Sequence, residues 1–240
     1  MVVSEVALAW APEEDGMPTD GFAPEELARL NRELVVYQCA LKIVETWLSN
    51  LSQSYAVIAG VNPIEYITCR IKSIDSIAGK LRARGLPLTM ASVAANLTDI
   101  AGARVICRYA KDVEAIVGTI TSHHGIEVVA EKDYISHPKP SGYRSYHLVV
   151  SIVPGGLFGM RSCPVEIQVR TAAMDFWAGL EHQVHYKYAG DIPDHLVAEL
   201  RVCADKIHDL DDRMYLIHEL VDLINEEPPG CEKLREGGQP

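Results

Sequence analysis

The sequence predicts a mixed α/β (α+β) fold, in which a five-stranded sheet is flanked by helices and a long helix stands at each end. Short strand-like runs alternate with segments of helical periodicity. Two longer stretches keep apolar residues at steps of three and four, and no internal repeat interrupts residues 25–225. We therefore expect a single domain over residues 23–226, between disordered segments at 1–22 and 227–240.

The two long helices carry continuous apolar stripes. Pro24 suits the first turn of the first helix, and Glu25 and Glu26 follow it near the positive end of the helix dipole. Its stripe runs over residues 27–51, and the stripe of the last helix runs over residues 196–224. Both stripes keep the spacing of helices that pack along their length, either within one subunit or between subunits. The pattern leaves these two possibilities open.

Further helices and five strands are predicted between the two long helices. Ser73, Asp112 and Thr171 are each placed to cap a helix, while Gly85 ends one. The predicted strands cover residues 65–72, 103–109, 126–132, 143–150 and 165–170. The predicted helices cover residues 73–84 and 90–97, a segment that begins at Asp112, and residues 172–188.

The composition fits a globular protein that stays in the cytoplasm. A net charge of −11 argues against nucleic acid as the main partner, because binding to a phosphate backbone needs basic contacts. No apolar run approaches the roughly 20 residues of a membrane span, and the N-terminus lacks a signal-peptide pattern, so we expect no membrane partner. The six cysteines form no CxxC pair and are interpreted as reduced core thiols.

Positive charge is nevertheless concentrated in one stretch. Residues 70–84 carry five basic side chains and a single acid. The chain has neither a GxxxxGK[ST] loop nor a GxGxxG motif, so any bound phosphates must be held by side chains. The basic candidates are Arg70, Lys72, Lys80, Arg104, Lys139, Arg144 and Lys187. A solvated helix face is the alternative interpretation of such a run.

Two strand-like segments place polar side chains on one face. In VEIQVR, alternation separates the aliphatic residues from Glu166, Gln168 and Arg170. The same period places Tyr143 and His147 on one side of YRSYHLVV. If the turn-rich VPGGLFGMRSCP joins the segments into a hairpin, a carboxylate, an amide, a histidine and an aromatic ring meet on one surface. An ordinary half-solvated sheet is equally compatible with the pattern.

Two carboxylates are candidate ligands for Mg²⁺. Asp99 precedes one predicted strand and Glu166 lies within another, so their oxygens would meet if the two strands are neighbours. Polyphosphate transfer requires such carboxylates beside many cations, since it needs charge neutralisation, alignment and a base for the attacking hydroxyl. Taken alone, Asp99 also fits a turn or capping position and Glu166 a solvated one.

Five segments, in order, resemble those of one family. They are RIKSIDSIAGKL, DIAGARVIC, KPSGYRSYH, VEIQVRT and AMDFWAGLEHQVHYK. Over residues 27–190 the chain resembles the synthetase domain of RelA/SpoT homologues, and in particular the single-domain small alarmone synthetases. The resemblance implies a nucleotidyltransferase-like fold and a Mg²⁺-dependent GTP diphosphokinase. Such an enzyme transfers the β,γ-pyrophosphate of ATP to the 3′-hydroxyl of GDP or GTP, making AMP and (p)ppGpp in the stringent response.

The resemblance also implies which residues hold ATP and the metal. Arg70 and Arg104 would contact the adenine. The contacts to the ATP ribose and phosphates would come from Lys72, Ser76 and Lys80. Asp99 and Glu166 would ligate Mg²⁺, and Glu166 would also act as the base for the 3′-hydroxyl.

The acceptor nucleotide, GDP or GTP, is assigned to the later segments by the same resemblance. Tyr143 would stack on the guanine, and the other residues near the acceptor would be Lys139, His147 and Gln168. Many relatives carry Asn where this chain has Ser141, so the preference between GDP and GTP stays open. No firm role is implied for Arg144, Glu181 and Lys187.

The resemblance predicts synthesis without hydrolysis and a homo-oligomer, since similar synthetases form tetramers. Longer relatives also carry a hydrolase domain with paired histidines and aspartates around a metal, and this chain has no room for one. His208 and the pair His182 and His185 fit surface or structural positions better than a metal site. Two alternatives remain: a nucleotidyltransferase-like enzyme with another acceptor, and a catalytically retired nucleotide- or RNA-binding regulator.

Overall fold

Five strands form one mixed sheet in the order β1-β2-β5-β4-β3, flanked by helices. The structure, a computed structural model, describes residues 21–187 and 192–226. Of the segments predicted to be disordered, 1–22 and 227–240, only Gly21 and Phe22 fall inside it, and Phe22 is buried in the core. The strands are β1 (Ile64–Ile71), β2 (Ala101–Cys107), β3 (Glu127–Asp133), β4 (Tyr146–Ile152) and β5 (Cys163–Thr171). The helices are α1 (Pro24–Ile58), α2 (Ile74–Ala83), α3 (Met90–Asn96), α4 (Ala110–Ser122), α5 (Ala172–Lys187) and α6 (Asp194–Glu226). The predicted fold class is confirmed.

The parallel pairing of β2 with β5 lies at the centre of the sheet, and the other neighbouring pairs are antiparallel. In its register, Gly102 lies opposite Glu166 and Arg104 lies opposite Gln168. The predicted hairpin of β4 and β5 is also present, and it sets His147 opposite Gln168 from the other side. Polar residues from three strands therefore share one face of the sheet.

The opposite face of the sheet carries the core. Val165, Ile167 and Val169 of β5 are buried there, and both α1 and α4 contact this strand. The buried residues of α1 join the same core: Leu30, Val36, Tyr37, Ala40, Leu41, Val44 and Leu48. The apolar stripe of α1 is therefore satisfied within the subunit.

Three of the predicted helix signals are confirmed. The Ser73 hydroxyl accepts a hydrogen bond from the backbone N–H of Ser76 at 3.2 Å, and Gly85 follows α2 with a φ of +65°. The Thr171 hydroxyl accepts from the backbone N–H of Met174 at 3.2 Å and so caps α5.

The prediction that Asp112 caps α4 is wrong by three residues. The helix begins at Ala110, and Tyr109 occupies the cap position. The Asp112 carboxylate reaches back instead and accepts a hydrogen bond from the Tyr109 backbone N–H at 3.2 Å. An acid in the first turn also interacts favourably with the helix dipole.

Helix α6 attaches to the rest of the chain through small and polar residues. Ala204 and Asp211 are buried, while Tyr215 and His218 pack against the ring of Tyr109. From Leu210 onwards, the large apolar residues of its predicted stripe lie outside this contact and are between 48% and 71% exposed: Leu210, Met214, Ile217, Val221 and Ile224. The apolar stripe of α1 is thus packed in the core, whereas the stripe of α6 from Leu210 onwards is exposed.

The cysteines among the described residues are free. Cys107 and Cys163 are buried, and burial raises the pKa of each thiol to about 12. Cys203 is exposed on α6, so the interpretation as a core thiol does not hold for it, and Cys231 lies outside the described residues. No helix within residues 21–187 and 192–226 is both long and apolar enough to cross a membrane.

The substitution Thr171→Val tests the contact between α5 and α6. The Thr171 hydroxyl donates to the buried carboxylate of Asp211 at 2.6 Å. Valine keeps the shape of threonine, but it removes the cap of α5 and leaves the carboxylate without this donor. We expect the free energy of unfolding, measured by urea denaturation, to fall by about 2–4 kcal/mol. The matched change Thr121→Val, at an exposed position of α4, should cost about 0.5 kcal/mol or less. Equal losses in the two variants would contradict the structural role of Thr171.

Candidate active site

Two adjoining clefts open on the polar face of the sheet. The first cleft has a volume of about 330 Å³, and its lining includes Arg70, Asp99, Arg104, Glu166 and Gln168. The second cleft, of about 510 Å³, shares both arginines and Gln168 with the first. These volumes suit small ligands of nucleotide size. The structure thus brings the two predicted carboxylates into one cleft.

Asp99 is held by two lysines at one edge of the first cleft. Lys72 follows β1 and Lys80 lies on α2, and both ammonium groups donate to the same Asp99 oxygen, Oδ2, Lys80 at 2.6 Å. Burial opposes ionisation of Asp99, but the two lysines outweigh it and lower the pKa of the carboxyl group. Asp99 is therefore ionised at neutral pH. Burial and the nearby Lys80 lower the pKa of Lys72, although Asp99 opposes this shift.

Glu166 is the start of a hydrogen-bonded chain that ends at Tyr143. Its Oε2 accepts from the amide of Gln168 at 2.7 Å, and its Oε1 lies 3.2 Å from Nδ1 of His147. Nε2 of the same histidine lies 2.9 Å from the Tyr143 hydroxyl. Burial favours the neutral form of Glu166, but the partners His147 and Gln168 outweigh burial and lower the pKa of the carboxyl group.

The two carboxylates fit a magnesium ion. Oδ1 of Asp99 is buried and has no hydrogen-bond partner, so a hard oxygen is left available beside the paired Oδ2. The charge of Asp99 also acts on Glu166 and partly opposes the lowering of its pKa, as expected of two acids that share a cleft. No group of three or more His, Cys, Asp and Glu side chains that could hold a metal occurs in the described part of the chain. A pair of carboxylates nevertheless suffices for Mg²⁺ where phosphates and water supply the other ligands.

The loop of residues 139–143, called the acceptor loop below, forms a turn in place of the first strand residues predicted here. The backbone N–H of Gly142 donates to the Lys139 carbonyl at 2.8 Å, and β4 begins only at Tyr146. The Lys139 ammonium lies 4.6 Å from the centre of the Tyr143 ring and 4.8 Å from that of Tyr134. Lysine and tyrosine of this loop thus contact each other where the second cleft begins.

The structure places the other predicted residues less centrally. Ser76 is exposed at the start of α2, where its hydroxyl lies 2.8 Å from that of Ser73. Arg144 donates to the Ile135 carbonyl at 2.8 Å and faces Asp205 of α6, away from the first cleft. The residues of α5 that line the second cleft include Glu181 and His182. The side chains of Lys187 and His185 lie outside the described part of the structure.

Sequence reasoning missed the importance of Arg170. It was expected on the polar face without a role, but its side chain is almost fully buried and forms an ion pair with Asp175 at 2.5 Å. The same Asp175 accepts a hydrogen bond from the Tyr66 hydroxyl at 3.1 Å, which ties α5 to β1. Arg170 lines the second cleft and holds a positive charge beside Tyr143. A charged residue in an otherwise buried strand end was the available signal.

Tyr134 is a second residue that sequence reasoning missed. Its ring packs edge-on against both Tyr143 and His147, with centroids 6.1 Å and 5.2 Å apart. It follows β3 directly, and its backbone N–H donates to the Ser145 carbonyl at 3.0 Å. No local sequence pattern distinguishes this aromatic residue from others in loops.

Comparison with known proteins identifies the family of this chain. The region found in RelA/SpoT proteins matches residues 69–191. The GTP pyrophosphokinase YwaC of Bacillus subtilis is 42% identical over 190 residues, which are 79% of this chain and 90% of that protein. The GTP pyrophosphokinase YjbM of the same organism is 36% identical over 183 residues, 76% of this chain and 85% of that protein.

Solved structures give the same assignment. Small alarmone synthetase 1 from Bacillus subtilis, bound to its product pppGpp, matches with a TM-score of 0.76 and 34% identity over 81% of this chain and 99% of that one. The same synthetase bound to AMPCPP matches with a TM-score of 0.69 and 33% identity over 81% and 98% of the two chains. The chain therefore belongs to the RelA/SpoT family, and within this family it is similar to the small alarmone synthetases.

Proposed function

We propose that this protein is a GTP diphosphokinase, which transfers the β,γ-pyrophosphate of ATP to the 3′-hydroxyl of GDP or GTP and so makes AMP and (p)ppGpp. One observation carries the proposal: Asp99 and Glu166, brought together by the central strands, share a cleft with Arg70 and Arg104. Relatives of this chain named GTP pyrophosphokinases, and a similar structure that holds pppGpp, support the choice of reaction. The product would make the protein a cytoplasmic enzyme of the stringent response.

The ATP half of the site is assigned to β1, α2 and the start of β2. The guanidinium groups of Arg70 and Arg104 line both clefts, and their planar shape suits stacking on adenine. Lys72 and Lys80 are proposed for the phosphates, with Ser76 at the ribose or phosphates. Both lysines contact Asp99, so binding of the triphosphate would draw positive charge away from this carboxylate. The carboxylate then becomes more available to a cation that arrives with ATP.

The acceptor half is assigned to the acceptor loop and β4. A guanine stacked on Tyr143 would take the place of the Lys139 ammonium, which is then free to pair with the acceptor phosphates. His147 and Gln168 lie between Tyr143 and Glu166, and they would orient the ribose that carries the 3′-hydroxyl.

Glu166 is proposed as the base in the transfer step. Its pKa is held low by His147 and Gln168, so the carboxylate is ionised and able to accept the proton of the 3′-hydroxyl. The 3′-oxygen forms a bond to the β-phosphorus of ATP while the bond from that phosphorus to the α,β-bridging oxygen breaks, and AMP leaves. A Mg²⁺ ion held by Asp99 and Glu166 would neutralise charge that develops on the phosphates. Hydrolysis of the product is not part of the proposed activity.

The exposed stripe of α6 supports a homo-oligomer, of which a tetramer is one form. Besides the five residues named above, the second half of the helix exposes three leucines by 58% to 60%: Leu216, Leu220 and Leu223. An apolar surface continuous over this length of helix is typical of a contact with another protein. A second copy of the chain supplies a helix with the same stripe and spacing, so the two can pack along their length.

Two labels in ATP distinguish the proposed reaction from its alternatives. With Mg²⁺ and GDP or GTP, we expect label in the γ-phosphate of ATP to appear in a guanosine product and label in the α-phosphate to appear in AMP. A nucleotidyltransferase would move the α-label to the acceptor instead, and a retired enzyme would move neither. The labelled products are separated by chromatography. Either of those two results, obtained with folded protein, would refute the proposal.

The variant Glu166→Gln removes the proposed base while keeping the size of the side chain. We expect kcat to fall by roughly 10²- to 10⁴-fold, because a general base is lost together with a metal ligand. The matched change Glu131→Gln, at an exposed glutamate of β3, should leave kcat near that of the unaltered protein. Near-normal turnover by Glu166→Gln, with an unchanged melting temperature, would rule out the role assigned to this residue.

Light scattering tests the oligomer. At micromolar concentration we expect a mass that is a multiple of 26.4 kDa. The double change Ile217→Glu and Leu220→Glu should lower the mass, because it places charges within the apolar stripe. The change Asp209→Asn, at an exposed position of the same helix, should leave the mass unaltered. A 26.4 kDa species for the unaltered protein would exclude the assembly.

A further inference from the structure

The acceptor loop rests directly on helix α6. Gly142 has a φ of +93°, and a Cβ atom placed on it would lie 2.4 Å from Cβ of Ala204 and 3.1 Å from Cδ of Arg201. The backbone of the loop thus approaches α6 so closely that no side chain fits between them. Glycine satisfies both the backbone angle and this contact.

A hydrogen bond holds the loop from the same side. The Arg201 guanidinium donates through Nη1 to the Pro140 carbonyl at 3.2 Å. Inside the loop, the backbone N–H of Lys139 donates to the Tyr143 carbonyl at 3.2 Å, which closes the turn. Pro140 is therefore attached to α6 while the ends of the loop are attached to each other.

Helix α6 is itself anchored on both sides of Ala204. The indole N–H of Trp177 donates to the Leu200 carbonyl at 3.1 Å, one turn before Ala204. The Thr171 hydroxyl donates to Asp211 two turns beyond it, at 2.6 Å. Both partners belong to the end of β5 and to α5, so the helix is anchored to the same elements that carry the clefts.

The position of the loop determines where Tyr143 lies relative to His147 and Glu166. Tyr143 follows Gly142 directly, and its hydroxyl lies 2.9 Å from His147, which in turn lies 3.2 Å from Glu166. A shift of the loop away from α6 would move the tyrosine ring, while Arg70 and Arg104 stay on β1 and β2.

We propose that Arg201 and Ala204 are positioning residues of the acceptor site: through Pro140 and Gly142 they set the place of Tyr143, and so the affinity for the guanine nucleotide but not for ATP. The inference rests on the proposed function, since it takes Tyr143 to be the guanine platform. Neither residue needs to touch a nucleotide. The Arg201 side chain is 44% exposed, so its replacement removes the contact with the loop at little cost to the core.

The variants Arg201→Ala and Ala204→Val test this role by separating the two substrates. In Arg201→Ala we expect the KM for GDP or GTP to rise about tenfold, because a hydrogen bond from a charged donor is lost. The KM for ATP should stay within about twofold of the unaltered protein.

Ala204→Val should act in the same direction, since its methyl groups enter the space of Gly142. Arg201→Lys keeps a charged donor and should recover part of the loss. The matched control Arg213→Ala, at an exposed arginine of the same helix, should change neither KM.

Calorimetric titration of GDP, with no ATP present, measures the acceptor site without turnover. A weaker affinity of Arg201→Ala for GDP, at an unchanged melting temperature, supports the inference even if no product forms in the unaltered protein. Unchanged acceptor affinity in both α6 variants would overturn it, as would an equal loss for ATP and GDP. If the unaltered protein transfers pyrophosphate while the variants match it, the inference fails and the proposed function stands.

Discussion

The parallel pairing of β2 with β5 is the contact on which the candidate site depends. It joins strands that are distant in the sequence, and its register sets Gly102 beside Glu166 and Arg104 beside Gln168. A slip of one residue would turn Glu166 and Gln168 into the core and bring Val165, Ile167 and Val169 onto the polar face. The burial of those three aliphatic residues therefore fixes the register, and the register fixes the clefts. The same register therefore determines both the packing of the core and the geometry of the site.

Concentrating positive charge in the clefts has an electrostatic cost that nearby acids offset. Asp99 forms ion pairs with both Lys72 and Lys80, and Asp175 forms one with the buried Arg170. Buried ion pairs of this kind add little net stability, because desolvation of both charges consumes most of their attraction. Their consequence is a set of cations held in place before any phosphate arrives, so little reorganisation is needed on binding. This also explains how a chain with a net charge of −11 can present a local anion site.

The sequence predicted the local features better than the distant contacts. Alternation correctly placed Glu166 and Gln168 away from the core, and Ser73, Gly85 and Thr171 act as the helix signals that they resemble. The adjacency of Asp99 and Glu166 could not be derived from periodicity, because strand order is set by packing across the whole sheet. The five motifs indicated this adjacency only through their resemblance to the RelA/SpoT family. The ring contacts of Tyr134 depend on tertiary structure and leave no mark on the local pattern, and the burial of Arg170 was marked only by its charge at the end of an apolar strand.

Helix α6 shows why a regular apolar stripe does not identify the inward face of a helix. Most of the apolar positions predicted to pack are exposed, and the helix is attached through the backbone carbonyl of Leu200, through Ala204 and through Asp211, at steps of four and seven. These steps lie on one side of an α-helix, whose rotation per residue is about 100°. A shift of the helix by one residue would break the bond from Trp177, the bond from Thr171 and the close contact with Gly142 together. Apolar contacts tolerate such a shift because they are not directional, whereas hydrogen bonds and a contact with glycine do not. The small and polar face therefore specifies one register of α6 against the acceptor loop, and the apolar residues from Leu210 onwards take no part in this contact.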